Sequence, residues 1–201
     1  MKKFFIMLRY LPILIFTPLF KNNARLIMDI NRWDKSKASL NYKIASLLFT
    51  CKEFRNLFIY RNQSHKIFRR WIKLWYPPEK TLYIVTPDIG GGFYIQHGFA
   101  TYISAQRIGE NCSVNQQVTI GYNSDGKCPI IGKNCMITCG AKVLGGITIG
   151  DNTRIGANAV VIRDYKRGYG VLAGVPAKPV KESSKERLLE LGLKINEEDF
   201  D

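Results

Sequence analysis

Histidine is nearly absent: the 201 residues contain only His65 and His97. A metal held by three imidazoles is therefore excluded unless other residue types substitute. Cysteine is sparse too, at 51, 112, 128, 135 and 139, an odd number without metal-type pairing. Cys135 and Cys139 lie four apart with no histidine nearby, so reduced cytosolic thiols are the simpler reading, and no metal is expected. Acidic residues are scarce in one half of the chain. Residues 1–80 hold 17 Lys/Arg against four Asp/Glu, whereas residues 81–201 hold 13 against 12, so the net charge of +14 sits almost wholly in the first part. No RNA- or DNA-binding motif accompanies it, so nucleic acid is not the expected partner; anionic lipid or an anionic substrate fits better. A clean membrane-spanning run is also lacking. Phe4 to Phe20 is apolar behind Lys2 and Lys3, but Arg9, Pro12 and Pro18 interrupt it, and it falls short of the ~20 residues a span needs. Lys21, Asn22 and Asn23 follow in place of a small-residue cleavage site. The segment reads as an N-terminal helix packed on the domain or lying in a membrane interface; a spanning helix and a cleaved export signal are the less favoured alternatives.

What is present falls into two patterns. From Ala38 to Arg61, Leu40, Ile44, Leu47, Cys51, Phe54 and Phe58 recur every three or four positions, which is helical spacing. His65 to Tyr76 places Ile67, Phe68, Trp71, Leu74 and Trp75 among Lys66, Arg69, Arg70 and Lys73. Such a basic helix with aromatics suits a membrane surface, and equally well a lid on the open end of the next domain. Pro77-Pro78 ends the helical region.

Beyond Thr81 isoleucine or valine recurs at 108, 114 and 120, then at 131, 137, 143, 149, 155 and 161, six residues apart within each run. Small or β-branched residues sit four positions later: Cys112, Val118, Cys135, Ala141, Ile147, Thr153 and Ala159. Six is neither a helical nor a simple strand period, so the pattern is a repeat in which each hexapeptide is a short strand plus a corner. A single coil cannot bury its apolar residues; stacked coils bury them against each other. From Ile120 to Ile131 the interval is eleven, so Tyr122 to Pro129 (YNSDGKCP) leaves the coil as a loop. Gly174, Pro176 and Pro179 end the regular coils, and Ser183 or Ser184 caps a short charged helix, Lys185 to Leu193. The expected units are a basic, mostly helical region at 1–80, a repeat domain at 81–180 and a C-terminal helix and tail at 181–201.

These features resemble the hexapeptide-repeat acyltransferases and, among them, the serine acetyltransferase-like branch. The resemblance runs from Ile89 to Lys178. It rests on Ile89-Gly90-x-Gly92 followed by His97, the phased hexapeptides, the loop and the ending Ala173-Gly174-Val175-Pro176-Ala177. Glu53-Phe54-Arg55-Asn56 to Tyr60-Arg61 adds a weaker likeness to the last helix before the repeats. The resemblance implies a mainly β fold, a left-handed parallel β-helix preceded by helices, that assembles as a homotrimer. It implies acetyl-CoA lying between subunits along turns of small residues, here Gly140, Ala141, Gly146, Gly156, Ala157 and Gly174, with Lys178 toward a nucleotide phosphate. His97 falls where the family places its catalytic base, a role a neutral imidazole suits near pH 7.

The departures concern the acceptor. The family's aspartate that orients the histidine aligns with Leu82, so Asp88 is the nearest candidate substitute. The aspartate before the histidine is Gln96 here, and a second histidine in the loop is Cys128. The loss of these charged groups weighs against a zwitterionic amino acid. The pattern resembles instead the acetyltransferases of capsule and other surface-polysaccharide synthesis, which implies acetylation of a sugar, free or lipid-linked, with Gln96, Gln117, Tyr122 and Cys128 as acceptor-binding residues. The alternative is a serine O-acetyltransferase of cysteine biosynthesis; a non-catalytic β-helix is a third reading. The expected location is the cytoplasm, with peripheral contact to the inner face of the cell membrane through the basic N-terminal region as an option.

Overall fold

The computed structural model describes residues 22–124, 126–184, 186 and 189. The apolar stretch Phe4 to Phe20 and nearly all of the expected helix Lys185 to Leu193 lie outside the described residues. Among the described residues, four helices come first: α1 (Ala24–Trp33), α2 (Leu40–Thr50), α3 (Lys52–Arg61) and α4 (Lys66–Trp75). Short strands then stack into three parallel faces of a prism. One face holds β1 (Leu82–Ile84), β4 (Thr101–Ile103), β7 (Thr119–Gly121), β10 (Lys142–Leu144) and β13 (Val160–Val161). The second holds β2 (Asp88–Ile89), β5 (Arg107–Ile108), β8 (Ile130–Ile131) and β11 (Thr148–Ile149). The third holds β3 (Tyr94–Ile95), β6 (Ser113–Val114), β9 (Met136–Ile137), β12 (Arg154–Ile155), β14 (Gly170–Gly174) and the antiparallel β15 (Ala177–Glu182).

The six-residue period explains this stacking. Ile89, Ile108, Ile131 and Ile149 pair in register down the second face and point inward, each at most 1% exposed. Burying each contributes about 1.5–3 kcal/mol. The small inward slots Cys112, Cys135, Ala141 and Ala159 are likewise buried.

The helical spacing from Ala38 to Arg61 is carried by two helices, because the chain breaks at Cys51, whose backbone is extended. The break is stabilised by Arg55, which donates from Nε and Nη2 to the carbonyls of Leu48 and Phe49 at the end of α2. Those are carbonyls that a helix end leaves without intrahelical partners. Helix α1 lies within the region expected to be mostly helical, though no apolar spacing had marked its bounds.

The first coil would expose unpaired strand edges, and the helices cover it. Arg61 donates to the carbonyls of Ile89 and Gly90 at 2.6 Å each and pairs with Asp29 at 2.7 Å, where the side chains are 4% and 0% exposed. Asp29 accepts from the Phe93 N–H, Trp33 Nε1 donates to the Phe93 carbonyl, and Arg32 reaches the carbonyls of Gly92 and Cys112. Burial pushes the Asp29 carboxyl up from its ordinary value, against the opposing pull of Arg61 and of the Phe93 and Gly92 N–H groups.

Candidate active site

His97 lies on the edge of the prism where the third face turns into the first, between β3 and β4. Three of the coils stacked beyond it keep the period there: Val114 to Ile120, Ile137 to Val143 and Ile155 to Val161 each span six positions. Ile95 to Ile103, in register with the first of these, spans eight. The corner carrying His97 is thus wider than its neighbours, and the chain there turns through tight contacts. The Gly98 N–H donates to the Gln96 carbonyl at 2.8 Å and the Phe99 N–H to the His97 carbonyl at 2.6 Å. His97 (φ 63°), Gly98 (φ 45°) and Ala100 (φ 51°) adopt left-handed backbone, as do Gln117, Gly140 and Asn158 on the same edge of later coils, so this is the turn geometry of the prism corner. The corner is pinned from both sides. Thr81 Oγ1 accepts from the Ala100 N–H at 2.9 Å, and the Phe99 carbonyl accepts from the Gln117 N–H at 3.0 Å. His97 is exposed, and Gly98 beneath it is buried.

The floor of the corner comes from the helices and the first strand. A β-carbon placed on Gly98 would lie 2.8 Å from Glu53 Cγ, 3.0 Å from Ile95 Cγ2 and 3.1 Å from Leu82 Cδ2. Leu82 therefore does adjoin the histidine corner, as the alignment placed it. Glu53, half-buried in the first turn of α3, is a carboxylate that sequence reasoning did not assign. Its only signal was the weak likeness of the Glu53-Phe54-Arg55-Asn56 stretch; nothing in the repeats points to a residue so far upstream.

The other expected site residues divide. Gln96 and Gln117 are exposed on the His97 edge. Gly140 (φ 72°), Gly156, Ala157 and Asn158 follow on the same edge in later coils. At Gly140 a β-carbon would fall 1.9 Å from Asn158 Oδ1, so any side chain there would displace Asn158 and strain a left-handed backbone. Lys142 steadies this edge by donating to the Gln117 carbonyl at 2.7 Å. Gly174 and Lys178 belong to the β14–β15 hairpin, where both are exposed.

Several expectations need correction. Asp88 does not orient His97: it lies on the second face and is engaged by Arg25 at 2.7 Å and Arg107 at 3.4 Å. Ala141 is fully buried, so its methyl packs the core and only its backbone can face a ligand. Tyr122 is exposed on the loop, but Cys128 is turned inward at 7% exposure, which removes its thiol from an open acceptor site. Gly146 lies beneath Lys127 of that loop, on a different edge from Gly140 and Gly156. Within one chain, the loop and His97 thus occupy different edges of the prism. Among the described residues no group of three or more His, Cys, Asp or Glu is placed to hold a metal ion.

Residues 128–163 match the model of the bacterial transferase hexapeptide (six repeats). A serine acetyltransferase of Staphylococcus xylosus is 42% identical over 102 residues, covering 49% of this chain and 47% of that protein. The chain thus spans about half the length of the curated relatives it matches. A serine acetyltransferase of Brucella abortus superposes with a TM-score of 0.61 at 22% identity, over 86% of this chain and 73% of that one, and has also been solved with coenzyme A. Another serine acetyltransferase structure, a complex with cysteine, gives a TM-score of 0.57 at 26% identity, covering 83% and 75% of the two chains. The fold is a left-handed parallel β-helix of hexapeptide repeats. These relatives overturn the expected sugar acceptor of surface-polysaccharide synthesis. The neutral residues at Leu82, Gln96 and Cys128 therefore do not separate this chain from a serine acetyltransferase that is 42% identical to it across the repeats.

Proposed function

We propose that the protein is a serine O-acetyltransferase, moving the acetyl group of acetyl-CoA to the hydroxyl of L-serine with His97 as general base. The observation that carries this reading is the 42% identity across the repeats to a serine acetyltransferase, joined to an exposed histidine on a widened, rigidly held corner. His97 takes the proton from the serine hydroxyl as the oxygen attacks the thioester carbonyl. The tetrahedral intermediate collapses, the C–S bond breaks, and the leaving thiolate takes the proton back from His97. Such a base contributes roughly 10²–10⁴-fold. Acetyl-CoA is a substrate here, its pantetheine running along Gly140, Gly156 and Ala157 on the edge that His97 shares, toward Gly174 and Lys178. Small residues suit an extended arm that must approach the backbone closely. Glu53, packed on the glycine after His97, supplies negative charge for the serine ammonium group that the neutral Gln96 does not. A homotrimer completes the site, because only a neighbouring copy brings the Tyr122–Pro129 loop to the His97 edge.

The test is release of free CoA from acetyl-CoA with and without L-serine, for the wild type and His97→Ala. Serine-dependent release that the substitution reduces at least ~100-fold supports the proposal. If acetyl-CoA binds while serine elicits no release, serine is not the acceptor. If His97→Ala retains full release, His97 is not the base.

A further inference from the structure

We infer that α4 docks the protein on an anionic membrane leaflet. This rests on the helix itself and is independent of the acceptor used at His97. Helix α4 carries two faces. Phe68 and Ile72, one turn apart, are 3% and 1% exposed and enter the core of the helical region. Ile67 and Leu74 lie seven residues apart, hence on one side of the helix at about 100° per residue, and they are 85% and 77% exposed. Two aliphatic side chains held in solvent on the same side are left uncovered by the described residues.

Charge chooses the cover. Lys66, Arg70 and Lys73 are exposed beside Ile67 and Leu74, and no acidic residue occurs between Lys66 and Trp75. The next acid along the chain, Glu79, accepts hydrogen bonds from Thr81. A second copy docked symmetrically on this face would set its cations against the same cations, with no carboxylate on the helix between them. Nucleic acid would satisfy the cations but leave Ile67 and Leu74 in water. An anionic leaflet satisfies both: the aliphatic side chains enter the acyl boundary while lysine and arginine meet headgroups. Trp71 and Trp75, half-buried and packed on one another, lie at the border of that face, where interfacial aromatics favour the headgroup level. With ten residues, α4 is too short to cross a membrane, so contact through it is peripheral.

The experiment sediments the full chain with vesicles of phosphatidylcholine alone and of phosphatidylcholine mixed with phosphatidylglycerol, at low and high salt. The wild type should pellet only with phosphatidylglycerol present and be released by salt. Arg70→Gln with Lys73→Gln should weaken partitioning about 25-fold, at roughly fivefold per cation. Ile67→Ser with Leu74→Ser should weaken it at unchanged net charge. The pair Lys35→Gln with Lys37→Gln removes two exposed lysines elsewhere and should retain most binding. All six side chains are exposed, so the variants should fold, and a thermal melt checks this. Failure of the wild type to pellet overturns the inference. So does an equal loss from the Lys35/Lys37 pair, which would indicate diffuse charge, or undiminished pelleting of both α4 variants. A change in subunit number of the Ile67/Leu74 variant also overturns it, by making this face a contact between copies.

Discussion

Gly98→Ala tests whether the shape of the corner, beyond the presence of His97, governs activity. Ordinary carbon–carbon contacts lie at about 3.5–4.0 Å. The added β-carbon would sit 2.8, 3.0 and 3.1 Å from Glu53, Ile95 and Leu82, so something must move by roughly 0.5–1 Å to restore that contact distance. Ile95 and Leu82 are 1% and 4% exposed and packed in the coil interior, so they yield little. The Glu53 side chain and the corner backbone take the displacement, and His97 moves with the corner. Left-handed backbone costs an alanine about 1–2 kcal/mol, and overpacking costs a further ~1–3 kcal/mol. For a chain of this size that corresponds to a loss of roughly 5–15 °C in Tm. A base displaced by about 1 Å costs on the order of 10²-fold in kcat/KM. The assays are CoA release at a temperature where circular dichroism shows the variant folded, and a thermal melt. In the double variant with Glu53→Ala, the closest obstruction disappears, and part of the lost Tm should return while the left-handed strain persists. Unchanged kcat/KM and Tm in Gly98→Ala would refute the reasoning, since the contacts would then be too soft to position His97.

Arg61→Ala should cost about 3–5 kcal/mol, because it leaves the Asp29 carboxylate buried without its counter-charge; the midpoint of urea unfolding checks this, and a change below about 1 kcal/mol contradicts it. Ile120→Ala removes a fully buried side chain from the middle of the first face, and an unfolding curve should show a loss of roughly 2–5 kcal/mol. Cys135 should resist alkylation in the folded protein even at mildly alkaline pH, because its hydrogen bond with Cys112 and its burial push the thiol far up. Mass spectrometry should find Cys51 and Cys139, both half-buried, labelled first. Prolonged dialysis against a chelator should leave CoA release unchanged; its loss, restored by a divalent ion, would reveal a metal requirement.

The six-residue period was legible in the sequence because the physics behind it is local. Each Ile or Val must point inward once per strand, and each following corner needs a small or turn-forming residue. From Ile108 to Val161 the phase of those residues set the strands, their register and the loop at Tyr122–Pro129. His97 was legible as a candidate for a similar reason, being one of two histidines and set just after Ile89-Gly90-x-Gly92. What only the tertiary structure decided were relations between segments whose spacing carries no period. The widened corner at His97 shows only against the coils stacked upon it. Glu53 reaches Gly98 from a helix 45 residues earlier, and Asp88 is drawn away by Arg25 and Arg107 on another face. The break at Cys51 needed Arg55 folded back onto the end of α2. Apolar periodicity records which way a side chain faces within its own element. It does not record which charged group from a distant segment arrives there, because hydrogen bonds and ion pairs are made between individual atoms that only the folded chain brings together.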